Sequence, residues 1–172
     1  MPKPLCGSIS RAHMSRLYCI DSSALFDLGR LYPPSIFPTL WDRLGDLVQS
    51  ERLLAPEGVR DEILRGKPDD AVQMWANDHG SMFVPHVSLQ SAVTKVLRMA
   101  RRDGIDLNRV DQSNEADVWV VALAYSGDPQ RIVVSHESIK GRNTPQIPRL
   151  CECVGITHMR AIGFMSQEAW TF

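Results

Sequence analysis

The sequence has no long apolar run and no excess of charge of one sign. No apolar stretch approaches the ~18 residues of a transmembrane helix, and 19 Lys+Arg residues face 20 Asp+Glu residues, for a formal net charge of −1. These absences argue against a membrane-spanning protein and against one that binds nucleic acid through a uniformly basic surface. Any nucleic-acid partner must then be held by a local patch of cations.

Several motifs of metal-binding and cofactor-binding proteins are also missing. The four cysteines form no CxxC pair and no zinc-finger spacing with histidines, which argues against a structural zinc site. Neither GxxxxGK[ST] nor GxGxxG is present, and no serine lies in a GxSxG motif, so an NTPase, a dinucleotide-binding enzyme and a serine hydrolase are disfavoured. Such cysteine usage favours a reduced, cytoplasmic compartment. The alternating cysteines of Cys151-Glu152-Cys153 are predicted to lie on one face of a strand.

The composition is that of one ordinary globular domain. The chain has 172 residues, of which 44% are hydrophobic and 23% are charged. Residues 1–13 lack the apolar core of a signal peptide and precede Met14, so we predict a disordered extension or a start codon placed too early. A single domain is expected over residues 14–172.

Short apolar segments alternate with helical patterns along the chain. Predicted strands cover 16–20, 52–56, 82–84 and 131–135, with one more at the end of 150–157, and predicted helices include 35–49, 69–79, 88–102 and 114–125. This alternation predicts an α/β fold with a mostly parallel sheet of four to five strands covered by helices on both faces. A functional site is then expected beyond the carboxyl ends of the strands.

Four acidic residues fall at or just beyond those carboxyl ends. Asp21 follows the first strand, Glu62 lies early in the helix after the second, Asp117 begins an apolar helix, and Glu137 follows the strongest strand. Carboxylates that converge in one crevice repel one another, and Mg²⁺ or Mn²⁺ removes that cost because these ions prefer oxygen ligands. Such an ion polarises a phosphoryl oxygen and activates water.

Each acid also has a simpler interpretation. Asp21 has the position of a helix N-cap, and Glu62 could be a solvated helix residue with its neighbour Asp61 as a rival. Glu137 stands in a polar loop, where most glutamates are solvated. Asp117 is the strongest candidate because it interrupts an apolar helix, where an unpaired carboxylate is costly.

Cations and aromatic side chains near these positions could contact a phosphate backbone. The candidate cations are Arg60, Arg65, Lys140 and Arg142, although surface solvation is the default for such residues. His136 is more typical of a polar loop contact than of a general base. Trp119 could stack on a base, but its place on an apolar helix favours the core.

The acidic positions lie in segments that resemble the motifs of the PIN-domain family. YCIDSSALFDL resembles the first motif, with Asp21 as a ligand and Ser22 as its hydroxyl neighbour, and APEGVRDEI resembles the second, with Glu62. EADVWVVALA resembles the third motif, with Asp117. IVVSHE resembles the strand before the fourth motif.

The fourth motif departs from the family pattern. The family commonly has a Thr or Ser followed by an Asp, whereas this chain has Ser135 followed by Glu137. Together with the loop that ends in IPRLC, the pattern most resembles a bacterial PIN-like branch, the DUF4411 group. The resemblance spans about residues 16–157.

The resemblance implies a fold, an activity and partners. It implies a three-layer α/β/α sandwich and a Mg²⁺- or Mn²⁺-dependent ribonuclease that hydrolyses single-stranded RNA. Such proteins are often the toxin of a type II toxin–antitoxin pair, are silenced by a small antitoxin, and frequently form homodimers.

Two other functions stay open at this stage. A PIN-like domain without catalysis could bind RNA or a protein partner, but the near-complete set of acids favours the enzyme. A phospho-receiver domain would need paired acids after the first strand and a late lysine, whereas Ile20-Asp21-Ser22 offers one acid and Lys140 lies in a polar loop.

Overall fold

The computed structural model describes residues 16–66, 70–109 and 115–172. The extension expected at residues 1–13 lies outside these ranges. The described strands are β1 (Tyr18–Ile20), β2 (Leu53–Pro56), β3 (Phe83–Val84), β4 (Ile132–Val134) and β5 (His158–Met159). The described helices are α1 (Ser22–Leu31), α2 (Pro38–Gln49), α3 (Glu57–Leu64), α4 (Ala71–Asp78), α5 (Gln90–Arg102), α6 (Glu115–Ser126), α7 (Ile147–Val154) and α8 (Ala161–Gln167).

The five strands form one parallel sheet in the order β3-β2-β1-β4-β5. Tyr18 pairs with Leu53 of β2 on one side and with Ile132 of β4 on the other, so β1 is central. The chain moves outward from β1 to β3 and then crosses to β4, which reverses the direction of winding. The predicted α/β fold with a parallel sheet is confirmed.

Helices cover both faces of the sheet and make a three-layer sandwich. One layer contains α5, α6 and α7, which contact one another, and α6 also packs on β1, β2 and β4. On the other face α1 contacts α3, α4 and α8. The position of α6 explains its sequence, because a helix between a sheet and two other helices has little surface left for polar side chains. Its residues Val120, Val121, Ala122 and Ala124 are buried.

Two sequence-based boundaries were wrong. Cys151 and Cys153 lie on α7 rather than on a strand, and Cys151 is buried while Cys153 is partly exposed. The apolar side chains at 147, 150, 151 and 154 have the spacing of one helical face, and Gly155 ends the helix with a φ of 71°. Helix α2 begins at Pro38 rather than at residue 35, with the proline in its first turn.

Within the described ranges, no helix combines the length and the apolar character needed to cross a lipid bilayer.

Candidate functional site

The four predicted acids meet at the carboxyl end of the sheet. Asp21 directly follows β1, Glu62 lies on α3, Asp117 lies in the first turns of α6, and Glu137 follows β4. The charges of Glu137, Asp21 and Glu62 all act on the carboxyl of Asp117. We call these four residues the acid centre. They come together because β1, β2 and β4 are adjacent parallel strands and α6 packs across all three.

Asp21 serves both as a helix cap and as a member of the acid centre. Its side chain is the N-cap of α1, and its Oδ2 accepts hydrogen bonds from the backbone N–H of Ser23 at 3.1 Å and from the Ser23 hydroxyl at 2.5 Å. The residue is only 4% exposed. The two interpretations of Asp21 therefore do not compete, since the cap holds the buried carboxylate in place.

Glu62, and not its rival Asp61, joins the acid centre. The hydroxyl of buried Ser22 donates to Oε2 of Glu62 at 2.5 Å, which links α1 to α3. Asp61 is exposed on α3. A carboxylate and a hydroxyl donor from the helices that follow β1 and β2 thus fix one side of the centre.

Glu137 is held on the other side of the centre. Its Oε2 accepts a hydrogen bond from the backbone N–H of Ile147, the first residue of α7, at 3.0 Å. Its own N–H donates to Oγ of the fully buried Ser135 at 3.3 Å, and that oxygen lies 2.9 Å from Nε2 of His158. The glutamate expected in a solvated loop is therefore half-buried and positioned by two elements.

Burial raises the pKa of all four carboxyls, and repulsion from neighbouring carboxylates adds to this effect at Asp117, Glu62 and Glu137. Burial raises the pKa of Asp117 to about 9, and the nearby charges of Glu137, Asp21 and Glu62 add to this effect. Burial also raises the pKa of Asp21, against the opposing hydrogen bonds from Ser23. The pKa values of Glu62 and Glu137 are raised in the same way. The surrounding residues therefore do not supply enough positive charge to keep all four carboxyls ionised at neutral pH.

No arginine or lysine forms an ion pair with these carboxylates in the part of the chain that the structure describes. Arg65 and Lys140 act from a greater distance. Arg65 lowers the pKa of Glu62 and Lys140 lowers that of Glu137, in each case less than burial raises it. The two cations therefore stand on opposite sides of the centre.

Two open recesses flank the acid centre. The first, the indole recess, shares Glu62 with the centre and is lined by Gly58, Asp61, Glu62, Arg65, His86, Ala116 and Trp119. The second, the basic recess, shares Glu137 with the centre and is lined by Ser23, His136, Glu137, Ser138, Lys140, Gln146 and Arg160. An elongated ligand can therefore run from one recess to the other over the carboxylates.

Two of the four cations named from the sequence line these recesses. Arg65 and Lys140 line the recesses, whereas Arg60 lines neither, and Arg142 lies beside Asp103. The sequence analysis missed Arg160. Arg160 directly follows β5, and the rule that located the acids, a position just after a strand, applies to it as well. The sequence analysis did not find it because the bounds of β5 were not predicted.

Trp119 differs from its expected place in the core, whereas His136 lies where the sequence predicted. Trp119 is half-buried at the indole recess rather than enclosed in the core, and the ring of His86 stacks on it. His136 lies with Nδ1 3.2 Å from an oxygen of Asp27, as expected of a loop contact.

The donor chemistry of the acid centre fits a hard divalent cation. The hydrogen bonds of Asp21, Glu62 and Glu137 use Oδ2, Oε2 and Oε2, so these bonds leave the second oxygen of each carboxylate for a ligand. The excess negative charge also favours a cation. Among the described residues, however, no three acid, histidine or cysteine side chains are already grouped as a metal cage. Binding would therefore require side-chain adjustment.

Comparison with known proteins identifies the family. No curated protein matches the chain. A family model described as "Domain of unknown function (DUF4411)" matches residues 18–172. This match includes β1 to β5 and all four residues of the acid centre, and the chain therefore belongs to the DUF4411 family.

Proposed function

We propose that this protein is a metal-dependent ribonuclease of the PIN-like type that hydrolyses phosphodiester bonds in single-stranded RNA. One observation carries the proposal. At one edge of the parallel sheet, two carboxylates that follow strands and two that lie on helices come together, and burial raises the pKa of each. The resemblance of the surrounding segments to PIN motifs supports the same conclusion.

Asp21, Glu62, Asp117 and Glu137 are the residues that would hold Mg²⁺ or Mn²⁺. A bound cation of this kind polarises a phosphoryl oxygen and lowers the pKa of a water molecule. The chain itself orients the ligands. The hydroxyls of Ser22 and Ser23 and the N–H of Ile147 each hold one carboxylate oxygen, so the carboxylates keep their positions without a protein cation beside them.

The flanking recesses suggest how an RNA strand is held. Arg65 stands on the side of Glu62, and Lys140 and Arg160 stand on the side of Glu137. Phosphates on both sides of the scissile bond can therefore contact cations while the acidic floor lies below. RNA affinity should weaken with salt although the net charge is only −1, because local phosphate contacts release counterions.

Cleavage of labelled single-stranded RNA tests the proposal. Purified protein with Mg²⁺ or Mn²⁺ should cut the RNA, and EDTA should abolish cutting. The products should carry a 5′-phosphate and a 3′-hydroxyl, because water is the nucleophile. Asp117→Asn should lose at least about a hundredfold in rate, the order of the effect of removing one important electrostatic group.

The matched control is Asp42→Asn, which changes an exposed acid on α2 outside the centre. It should cleave like the parent. Cleavage that persists in EDTA, or products that end in a 2′,3′-cyclic phosphate, would contradict the mechanism, since the latter require the 2′-hydroxyl as nucleophile.

A second candidate is an RNA-binding module without catalysis. The observation that favours it is the absence, within the described ranges, of acids already grouped as a metal cage. RNA binding without cleavage, by protein whose melting temperature responds to Mn²⁺, would support this candidate over the enzyme.

The proposed ribonuclease also suggests a biological setting. We propose that the protein is the cytoplasmic toxin of a type II toxin–antitoxin pair, whose antitoxin lies across the acid centre. A small adjacent reading frame whose product suppresses RNA cleavage would support this setting.

A further inference from the structure

His86 and Trp119 form a stacked aromatic pair at the mouth of the indole recess. Their ring centroids are 4.0 Å apart and their planes are inclined by 20°. Trp119 and Ala116 lie one turn apart on α6 and line the same recess as Glu62, which brings the pair next to the acid centre. The remaining surface of both rings lines the recess together with Glu62 and Arg65.

The imidazole of His86 is fixed through its edge. The N–H of Gly58 donates to Nε2 at 3.2 Å, so the ring proton belongs on Nδ1, which lies 3.3 Å from Oε1 of Glu57. The same Glu57 oxygen accepts the backbone N–H of His86 at 2.8 Å. Hydrogen bonds at ring nitrogens lie near the ring plane, so they fix the orientation of the imidazole without covering its faces. The His86 side chain is 31% exposed.

Glycine at position 58 permits this arrangement. A Cβ atom there would lie 3.2 Å from Nε2 and 3.4 Å from Cε1 of His86, closer than most side-chain contacts. A larger residue would push the imidazole away from its hydrogen bond and disturb the stack. Two elements, the first turn of α3 and the turn before α5, therefore hold the ring in a fixed orientation.

The surroundings of the pair match the chemistry of a nucleotide. An open ring face stacks with any nucleobase, the carboxylate of exposed Asp61 can accept from a base N–H group, and Arg65 can contact a phosphate. Trp119 packs against the core with only part of its surface, and the rest lines the recess. Its exposure beside the carboxylates thus has a use in binding.

We propose that His86 and Trp119 form a stacking platform for one unpaired nucleobase of the RNA strand that crosses the acid centre. This inference rests on the proposed ribonuclease function. The platform selects single-stranded over double-stranded RNA, because a base inside a duplex is stacked between its neighbours and has no free face for an aromatic side chain. It also sets the register of the strand, since the stacked base adjoins the phosphate nearest Glu62.

Binding measurements in a slow-cleaving background test the platform. Fluorescence anisotropy would give the affinity of Asp117→Asn protein for a labelled unstructured RNA, with and without Trp119→Leu. Leucine keeps apolar bulk but removes the aromatic face, and the affinity should fall about tenfold, within the range for loss of one base–aromatic stack. Trp119→Phe should retain most of the affinity, and His86→Ala should weaken binding in the same direction.

The matched control is Trp170→Leu, which changes another half-buried tryptophan outside the two recesses. It should leave RNA affinity unchanged. A series of RNAs with one abasic position locates the stacked base. At that position the abasic RNA and Trp119→Leu should each reduce affinity, and their combination should reduce it no further, because both remove the same contact.

Intrinsic fluorescence covers the case in which Trp119→Leu fails to fold. RNA should quench the tryptophan emission of the parent, and Trp119→Phe should lose that quenching.

Equal RNA affinity of Trp119→Leu and its parent, or additive losses at every abasic position, would overturn the platform even if the wild type cleaves RNA. A tenfold loss in a protein that never cleaves RNA would support the platform and contradict the ribonuclease. Absence of RNA binding by the parent would overturn the platform.

Discussion

The two ends of the sheet contain buried carboxylates in opposite circumstances. At the amino end, Glu168 accepts a hydrogen bond from the Tyr18 hydroxyl at 2.6 Å and pairs with Arg52 at 2.7 Å. At the carboxyl end, the four acids of the acid centre have hydroxyl and amide donors but no ion pair with arginine or lysine among the described residues. One end is neutralised by the chain, and the other carries uncompensated charge.

The amino end is tied together by arginines. Arg131 donates to the backbone oxygens of Tyr18, Glu51 and Arg52, which lie at or before the starts of β1 and β2. The Tyr18 ring also packs edge-on against Phe164 of α8. The charged groups at this end of the sheet bind other groups of the protein itself, so we assign these contacts a structural role.

The difference between the two ends of the sheet separates carboxylates that stabilise the fold from carboxylates that are available to a ligand. A buried carboxylate that has its cation is part of the scaffold, whereas several that lack one lower the stability of the folded state and are candidates for a binding site. Removal of one partner at each end of the sheet tests this distinction.

The largest expected effect is at the amino end. Arg52→Met should lower the free energy of unfolding by about 3 kcal/mol, because it leaves the carboxylate of Glu168 buried without its cation. Urea denaturation measures this loss. Arg30→Met, which breaks an exposed pair with Asp27, is the control and should cost less than about 1 kcal/mol. Equal losses for the two variants would show that the amino-end pair has no special role.

Substitution of one acid-centre residue at the carboxyl end should stabilise the folded protein, whereas Arg52→Met at the amino end should destabilise it. Without divalent cations at pH 7.5, Asp117→Asn should raise the free energy of unfolding by more than about 1.4 kcal/mol, the equivalent of one pKa unit. The amide keeps the shape of the side chain and is neutral at every pH, whereas the carboxyl of Asp117, with its pKa raised to about 9, must bind a proton on folding at this pH. Thermal unfolding in EDTA tests this expectation, with Asp42→Asn as the neutral control. A destabilised Asp117→Asn protein would mean that Asp117 has a cation partner after all.

Divalent cations should stabilise the parent by an amount that depends on concentration. Mn²⁺ at ten times its dissociation constant should add about 1.4 kcal/mol, since a ligand stabilises the folded state it binds. For a chain of this size, that corresponds to a rise in melting temperature of about 3–6 °C. Asp117→Asn should respond less. A melting temperature indifferent to Mn²⁺ in both proteins would contradict a metal site at the acid centre.

The raised pKa of Asp117 should also make the free energy of unfolding depend on pH. A carboxyl whose pKa rises on folding, as that of Asp117 does from 3.8 to about 9, binds more protons in the native state than in the unfolded state. In EDTA the Asp117 contribution to the free energy of unfolding should therefore fall as pH rises between those values. Chemical denaturation at pH 5.5 and 8 should show this decline, and the decline should be shallower in Asp117→Asn. Equal slopes would exclude Asp117 as its source.

The smallest effect is expected for Ser22→Ala. The variant removes the hydroxyl that holds Oε2 of Glu62 and should cost about 1 kcal/mol, the usual contribution of one hydrogen bond. Thermal unfolding measures the change. Ser50→Ala removes an exposed hydroxyl at the end of α2 and is the control. If both serine variants unfold alike, the Ser22–Glu62 contact does not order the centre.

Sequence reasoning predicted the framework of the fold well. Alternating strand and helix patterns predicted the parallel sheet, and the rule that parallel strands end at a common edge pointed to Asp21, Glu62, Asp117 and Glu137, whose carboxyls lie close enough to act on one another. The rule works because it depends on strand direction, which short apolar segments reveal, and not on helix boundaries. The role of these acids as metal ligands remains a prediction.

Long-range side-chain contacts could not be predicted in the same way. The pairing of His86 with Trp119 depends on how α6 is rotated about its axis, and an apolar helix gives no amphipathic pattern from which to deduce that rotation. Arg160 was missed because β5 has only two residues, too few for a period. The sequence of α7 did carry a helical spacing, but the alternation of Cys151 and Cys153 was given more weight.

The hydrogen bond between Glu137 and Ile147 closes a short loop that contains Lys140. Its two ends are only ten residues apart, so the contact removes much of the conformational freedom of the chain between them. A glutamate has one methylene more than the aspartate common in PIN motifs, and here that reach extends to the first amide of α7. The residue that contributes charge to the acid centre thus also limits where the ammonium of Lys140 can move, and substitution by aspartate would change the dynamics of the basic recess as well as the position of one carboxylate.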